Sequence, residues 1–577
     1  MRGSVAASDP LERSLRVSAD PLGDDSTDGG ALALLGAMGS SGAGKGLPQV
    51  WGRMAPMGQT PNPVDALVVG AGAAGAVLAA RLSEDPDRSV LLIDTGEMPR
   101  GEAEFGPDLL DARLVPGARP GHRATTWYPV HLTPRRPWQV PRGRGLGGST
   151  TVNGGYFVRA RRADFDRWAA AGSPAWAYDQ VLPFLRDLEN DLDFGQDASH
   201  GGSGPVPVRR GPLTHPAARA FRDAARHLGF PAEPDKNDQA PPGFGPVPSN
   251  AVDGIRHNVG LGYLPPEVMD RPNLHVLGGC RALRVVVDSG RATGVLVEQE
   301  GARRTLDART VVLSAGAFAT PHLLLLSGIG PAADLVRHGI PVVRDLPAVG
   351  ARLGDHPQLV LDWKPRDDLG EPADTWLGGC LHRASAGGSD GPGDIEVLQS
   401  LVPMAGLVEG VVRVPGAPLS FLVSVQPSRP GGTLRLTSAD PDGMPHIAYG
   451  FLTTGDDFRR LREAVRLTAA LLDSPQLAAV SEGLLDPGLA VLDDDRALDR
   501  WISEHLSTSQ HTCGTVPMGP ADDLRHAAVD QFGRVHGVRG LRVADTSILP
   551  DTPHRGPAAT AVLIGEVVAD AIRRELP

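Results

Sequence analysis

Between residues 66 and 70 the chain reads ALVVG, an unbroken apolar run of the kind a strand covered on both faces requires. GAGAAG overlaps its end and opens AVLAARLSED, whose apolar positions suit a helix, and SVLLID at 89–94 supplies a second buried run. Strand, helix and strand in that order predict a βαβ unit with parallel strands. Further along, LRVVVD at 283–288 and TGVLVEQE at 293–300 read as strands, and RTVVLSAGA at 309–317 reads as another buried strand ending in small residues. DFRRLREAVRLTAALL at 457–472 carries apolar residues at helical spacing, while GTLRLTS at 432–438 and LSFLVSVQP at 419–427 suit strands of an antiparallel sheet. No internal repeat of fixed period is visible, so the predicted class is mixed α/β.

Residues 1–61 show no such period. They are rich in Gly, Ser, Ala, Asp and Pro and are predicted to be a disordered extension, with Met54 or Met57 as possible alternative starts. GSSGAGKG at 39–46 nearly matches a phosphate-binding P-loop, but Gly46 stands where a Mg²⁺-binding hydroxyl is needed, so the stretch reads as a flexible Gly/Ser segment. ALALLGAM at 31–38 follows acidic rather than basic residues, and no run reaches the ~18 apolar residues that cross a bilayer, so neither a signal peptide nor a membrane anchor is expected.

At 577 residues, with 41% hydrophobic and 21% charged positions, the chain is long enough for at least two domains around a sizeable core. The 72 glycines and 53 prolines call for many tight turns. A net charge of −12 argues against a nucleic-acid partner, which would meet a concentrated basic surface. Only Cys280, Cys380 and Cys513 occur, far apart, which leaves no disulfide framework and no four-thiolate metal site, and suits a reducing cytoplasm.

The chemistry begins at the first βα turn. Gly70, Gly72 and Gly75 have the spacing G-x-G-x-x-G: the first permits the tight turn, the second lets backbone approach a pyrophosphate, and the third allows close helix packing. Ala73 and Ala74 lie in the same turn, at a helix N-terminus that favours phosphate. Asp94 follows Gly75 by nineteen residues at the end of the second strand, where a carboxylate can take the hydroxyls of an adenosine ribose. Together these predict a dinucleotide site without choosing between FAD and NAD.

The choice comes from resemblance. PRGRGLGGSTTVNGGYFVRARRADFDRW at 141–168 resembles the first signature of the glucose-methanol-choline (GMC) oxidoreductases, and GAFATPHLLLLSGIGP at 316–331 resembles their second. LPAVGARLGDHP at 346–357, HTCGTVPMG at 511–519 and VHGVRGLRVADTSILP at 535–550 continue the likeness in the same order, from about residue 65 to 570. The resemblance implies a Rossmann-like FAD-binding domain made of 62–157, 248–350 and 507–577, and a discontinuous substrate domain of 158–247 and 351–506 containing an antiparallel sheet. It implies contact of the cofactor with Arg144, Gly147, Gly148, Ser149, Asn153, Gly154, Val285, Ala315 and Asp545, although Asp545 could instead cap a turn. Where some members tether FAD through a histidine just before that asparagine, this chain has Val152, so the FAD is expected to be noncovalent.

An alcohol surrenders a hydroxyl proton as its hydride leaves for flavin N5, and an imidazole suits the proton. His511 matches the position of the family's base. Most relatives place a second His or Asn where this chain has Gly556, which turns attention to His554 as the second catalytic residue and to Arg555 as a possible anion-holding group. PHRGPAATAVLIGE at 553–566, with NGGYFVRA at 153–160, is similar to the branch linked to the mycofactocin redox system, which implies mycofactocinol as donor and a respiratory acceptor. A small primary, aryl or choline-type alcohol is the alternative donor, and a flavin-holding protein without catalysis is the reading from a different class.

Overall fold

The computed structural model describes residues 62–387, 393–412, 414–427 and 429–575; the sequence readings made on 1–61, the P-loop-like stretch included, lie outside the described residues. The predicted βαβ unit is present as β1 (Val64–Val69), α1 (Ala73–Leu82) and β2 (Val90–Ile93). Every residue of β2 is buried, as a strand covered on both faces requires. Helix α1 hides residues around nearly its whole circumference, which explains its weak polar face.

β3 (Ala302–Leu313) is the hinge of the first sheet, and its burial pattern shows why. Its last four residues, Thr310–Leu313, are continuously buried between parallel neighbours, β1 on one side and β4 (Leu541–Val543) on the other. Its first half alternates and instead pairs antiparallel with the strand Arg291–Gln299, which pairs in turn with Cys280–Asp288. The strand Leu274–Leu277 closes the parallel edge beside β2. Helix α2 (Gly316–Leu326) follows β3, and α3 (Ala558–Glu575) ends the described chain. α3 lies tight on α1 because Gly565 carries no side chain: a Cβ there would stand 2.7 Å from Val77 Cβ and 2.8 Å from the Ala74 carbonyl oxygen.

A second, antiparallel sheet runs Ser481–Leu484, Pro357–Pro365, Leu419–Val425, Ile395–Ser400, Leu377–Arg383 and Phe244–Pro246. Period-two alternation divides its faces. Leu359, Leu361, Trp363, Leu381, Ile395, Val397, Phe421 and Val423 pack beneath helices that include Pro216–His227 and Gly455–Leu472. The latter helix, predicted over 457–472 from its apolar spacing, begins two residues earlier behind a capping box in which Thr454 accepts from the Asp457 N–H and Asp457 answers on the Thr454 N–H. The opposite face carries Cys380, His382, Glu396 and Ser424, with Glu396 paired across strands to both His382 and Ser424.

The run 419–427 takes its predicted place in this sheet, but GTLRLTS does not. Thr433–Arg435 pairs with His446–Ala448 in a four-stranded sheet completed by the hairpin Thr125–Thr133 and Arg136–Gly143. An alternating pattern specifies one buried face and cannot specify which sheet supplies the partner.

Candidate active site

The glycine turn is built by close approach rather than by side chains. Gly70 has φ +104°, and a Cβ on it would lie 2.4 Å from the Ser314 carbonyl oxygen and 2.9 Å from Ala315 Cα, at the junction of β3 and α2. Gly75 is the packing glycine, since its Cβ would fall 1.8 Å from the Gly70 carbonyl oxygen. Gly147, φ +83°, donates its N–H to the Ala71 carbonyl, and Gly148, φ +53°, sits so near that a Cβ would be 2.6 Å from Gly72 Cα. The predicted cofactor glycines from two distant segments therefore meet. α1 starts at Gly72 with no side-chain cap and no acid in its first turn, so Ala73, Ala74 and their neighbours present a helix N-terminus suited to phosphate.

Asp94 stands at the end of β2, as predicted, and is more heavily engaged than the sequence suggests. Its Oδ2 accepts from the Ala71 N–H at 2.8 Å, and its Oδ1 accepts from the N–H groups of Gly96 and Gly145 at 2.8 and 2.7 Å. It joins the glycine turn to the 141–148 segment before it serves any ligand. Asp545 is likewise a cap: its oxygens accept from the N–H of Gly316, the hydroxyl of Thr320 and the N–H of Ser547. Burial pushes its carboxyl up against these hydrogen bonds. Ala315, the residue before α2, donates to the Thr320 hydroxyl and so lies in the same knot.

Ser149 accepts from the Gly143 N–H, Asn153 accepts from the Gly155 N–H, and the carbonyl of Gly154 takes the Trp376 indole N–H. Arg144 is exposed, with Nε on the Arg123 carbonyl. Val285 is the outlier. It belongs to the strand Cys280–Asp288, buries its side chain in the core and gives its N–H to the Ser327 hydroxyl; none of the contacts around the glycines reaches it.

These residues fit the dinucleotide that the sequence implies: an uncapped helix end, glycines without room for side chains, and an acid beside them. Gly148→Val should therefore lose the cofactor, because a branched residue is strained at positive φ and its Cβ overlaps Gly72. The flavin-to-protein absorbance ratio of the purified variant is expected to fall at least about tenfold; an undiminished ratio would contradict this cradle.

His511 lies on the segment that passes this knot. Residues 508–512 are pinned by one carboxylate: Asp355 Oδ1 accepts from the Thr508 hydroxyl and the His511 N–H, each at 2.9 Å, while Oδ2 takes the Thr512 hydroxyl at 2.6 Å. Gln510, just before His511, is held at φ +64°, a conformation non-glycine residues adopt rarely, and Arg142 Nη1 grips its carbonyl at 2.7 Å.

The ring is fixed by a residue the sequence reading passed over. His356, fully buried, donates from Nε2 to the Pro553 carbonyl at 2.9 Å, and its Nδ1 lies 2.8 Å from His511 Nδ1. A carbonyl oxygen only accepts, so the hydrogen of a neutral His356 is on Nε2 and its Nδ1 is bare. The hydrogen between the two Nδ1 atoms therefore belongs to His511, and His511 Nε2 is left as an unprotonated lone pair. The signal was the DHP of the block at 346–357: Asp355 holds the backbone of His511 and His356 holds its tautomer.

Burial keeps both rings neutral. It presses His511 down to about 4 against the opposing charge of Glu396, with Arg142 helping, and His356 down to about 3. For an imidazole held down in this way the neutral form, able to take a proton, persists above about pH 4 and is lost as the pH falls through that value. We expect kcat/KM to stay flat from about pH 6 to 8 and to decline only in acid, whereas an ordinary histidine would titrate near pH 6.5. A midpoint near pH 6.5 would refute the assignment.

Gly556 explains itself here: a Cβ at that position would stand 3.2 Å from His511 Nε2 and 3.3 Å from Cε1, directly over the working nitrogen. His554 is buried beside it in sequence. Its Nδ1 donates to Asp164 Oδ1 at 2.6 Å, its N–H donates to Asp164 Oδ2 at 3.0 Å, and its Nε2 is buried without a partner among the described residues. Burial alone would raise the Asp164 carboxyl, but the His554 hydrogen bond and the charges of His554 and Arg167 outweigh it and hold it at about 2. Arg167 and the Trp168 indole also bind Asp551. The RADFDRW end of the first signature thus clamps the loop that carries residues 551–556.

A family model described as GMC oxidoreductase matches residues 64–358, and a second of the same description matches 427–565. An uncharacterised GMC-type oxidoreductase of Rhodococcus erythropolis is 39% identical over 505 residues, covering 87% of this chain and 97% of its own. An oxygen-dependent choline dehydrogenase of Rhizobium etli is 34% identical over 540 residues, covering 89% and 96%. Among solved structures, pyridoxine 4-oxidase from Mesorbium loti superposes with a TM-score of 0.81 at 30% identity, over 89% of this chain and 99% of that one.

Proposed function

Because the chain belongs to the GMC oxidoreductase family, we propose that it is an FAD-dependent enzyme that oxidises an alcohol, with His511 as the base. That it is an oxidoreductase follows from membership; the cofactor, the donor and the residue roles are the reading put forward here. The single observation that carries it is the bare Nε2 of His511, oriented by His356 and Asp355 and facing the side-chain-free Gly556.

FAD, when bound, would supply the acceptor for the hydride of the carbinol carbon. Ala73, Ala74 and the glycines at 70, 72, 147 and 148 would hold its phosphates, and the segments 62–157, 248–350 and 507–577 would form its domain. The remaining work falls to this chain. His511 Nε2 accepts the hydroxyl proton, and His356 keeps that nitrogen free to do so. His554, with Nδ1 committed to Asp164, offers Nε2 as the second contact to the substrate oxygen. Val152 has no nucleophile to bond the cofactor, so denaturing the yellow protein in acid should release all of its flavin; colour retained in the pellet would count against noncovalent binding.

The narrower form of the proposal makes mycofactocinol the donor and the respiratory chain the destination of the electrons. Its support is the pair PHRGPAATAVLIGE and NGGYFVRA. The choline-type, small primary and aryl alcohols are the competing donors, and the similarity to an oxygen-dependent choline dehydrogenase and to pyridoxine 4-oxidase supports an alcohol of that small kind. Cys280, Cys380 and Cys513 are buried and free, which suits a reducing cytoplasm, and no helix among the described residues is long and apolar enough to cross a membrane.

Anaerobic titration of the holoprotein separates these readings. Bleaching of the flavin at one equivalent of a donor identifies that donor, and later addition of oxygen or a quinone analogue identifies the acceptor. A flavin that no alcohol reduces would leave only a non-catalytic flavoprotein.

A further inference from the structure

Arg555 is completely buried, one residue before the glycine that faces the base. Its Nη1 donates to the carbonyls of Gly393 and His554 at 3.0 and 2.6 Å. Its Nε and Nη2 have no partner among the described residues. Those two nitrogens form one edge of the guanidinium, with parallel N–H bonds matched to the two oxygens of a carboxylate. The same edge is in use elsewhere in this chain: Arg113 gives Nε and Nη2 to Asp111 at 3.0 and 2.8 Å, and Arg167 gives them to Asp551 at 2.6 and 3.0 Å. At Arg555 the edge is complete and the carboxylate is missing.

The neighbouring acids are already spent. Glu396 accepts from the Tyr156 hydroxyl, His382 Nε2 and the Ser424 hydroxyl. Glu233 takes Lys236 at 2.7 Å and Arg161 at 3.6 Å, as well as the Gly243 N–H. Burial keeps His382 neutral. Of the buried cations around these acids, Arg161 and Lys236 pair with Glu233, whereas Arg555 forms no ion pair among the described residues. A buried charge without a counter-charge is costly, and a ligand anion would relieve it. Arg555 directly precedes Gly556, where a Cβ would stand 3.2 Å from His511 Nε2, so the open edge belongs to the loop that faces that nitrogen.

We infer that the donor is an alcohol that also bears a carboxylate, bound edge-on by Arg555, and that the site discriminates against cationic alcohols. This rests on the alcohol-oxidising reading above and narrows its substrate class. Arg555 here is a specificity-determining residue, distinct in task from the base.

The test uses the wild-type holoenzyme and matched donors under anaerobic stopped flow: ω-hydroxy acids from glycolate to 6-hydroxyhexanoate against the corresponding 1-alkanols, 4-(hydroxymethyl)benzoate against benzyl alcohol, and choline as the cation. At least one acid is expected to reduce the flavin with a second-order rate constant about tenfold or more above its uncharged counterpart, and choline should fall below both. In Arg555→Met that advantage should shrink to about one, and Arg555→Lys, which keeps the charge without the edge, should lose most of it. Benzoate should perturb the flavin spectrum of the wild type and not of Arg555→Met, a binding readout independent of turnover. Uncharged alcohols that reduce the flavin while no acid gains, or an advantage that survives Arg555→Met, would overturn the inference and leave the alcohol-oxidising reading standing. Should no donor react, that reading fails, and benzoate binding alone decides the anion site: saturable perturbation supports it, and none overturns it. If Arg555→Met does not fold, the wild-type donor ratios and Arg555→Lys decide.

Discussion

Replacing His511 by Ala is expected to slow flavin reduction by the preferred alcohol roughly 10²–10⁴-fold while the protein keeps its colour. The asymmetry has a structural cause. The segment around His511 is pinned through its backbone N–H and its neighbours' hydroxyls on Asp355, none of which the imidazole supplies, so truncating the ring leaves the loop in place. The glycine cradle for the cofactor is built from other segments altogether. Stopped-flow reduction without oxygen reads the loss directly, and the flavin-to-protein ratio checks that binding survives. A rate within about threefold of wild type would remove His511 from the mechanism, since general-base catalysis contributes far more than that.

His356→Ala should cost less, about 10–10²-fold, because it removes the support of the base and not the base itself. Without the acceptor 2.8 Å away, His511 Nδ1–H loses its fixed partner, and the ring is free to turn or to move its hydrogen to Nε2, where it would block proton uptake. Two further readouts separate positioning from mere instability. His356→Gln offers a side-chain carbonyl that can accept from His511 Nδ1, so it should recover part of the lost rate. The acid limb of the pH profile should also move upward, because the cavity left by the ring admits water and relieves the burial that holds His511 down. A variant with normal kcat and an unchanged pH profile would show that His356 only packs.

The local features were legible because they are decided locally. An apolar run followed by G-x-G-x-x-G can fold as little else than a buried strand turning into a helix, and β1, α1 and β2 appear where the pattern puts them. The helix read over 457–472 was equally plain, since its apolar stripe lies within one segment, and it is present over 455–472. Asp94 was placed correctly at the strand end, yet its commitments to Ala71, Gly96 and Gly145 were invisible, because one of them reaches 51 residues along the chain. GTLRLTS was read as a strand with the wrong neighbours for the same reason.

By itself, then, the sequence determined the βαβ unit and the glycine turn, which follow from spacing within short windows, and its family-like blocks singled out His511 as the candidate base. Only the tertiary structure decided which nitrogen of His511 is free, because the partner that settles it, His356, is 155 residues away. It also decided that His554 is tied by one nitrogen to Asp164, 390 residues distant, and that Arg555 keeps an open edge. Whether a polar atom is satisfied depends on every group the fold brings near it, and a linear pattern does not carry that information.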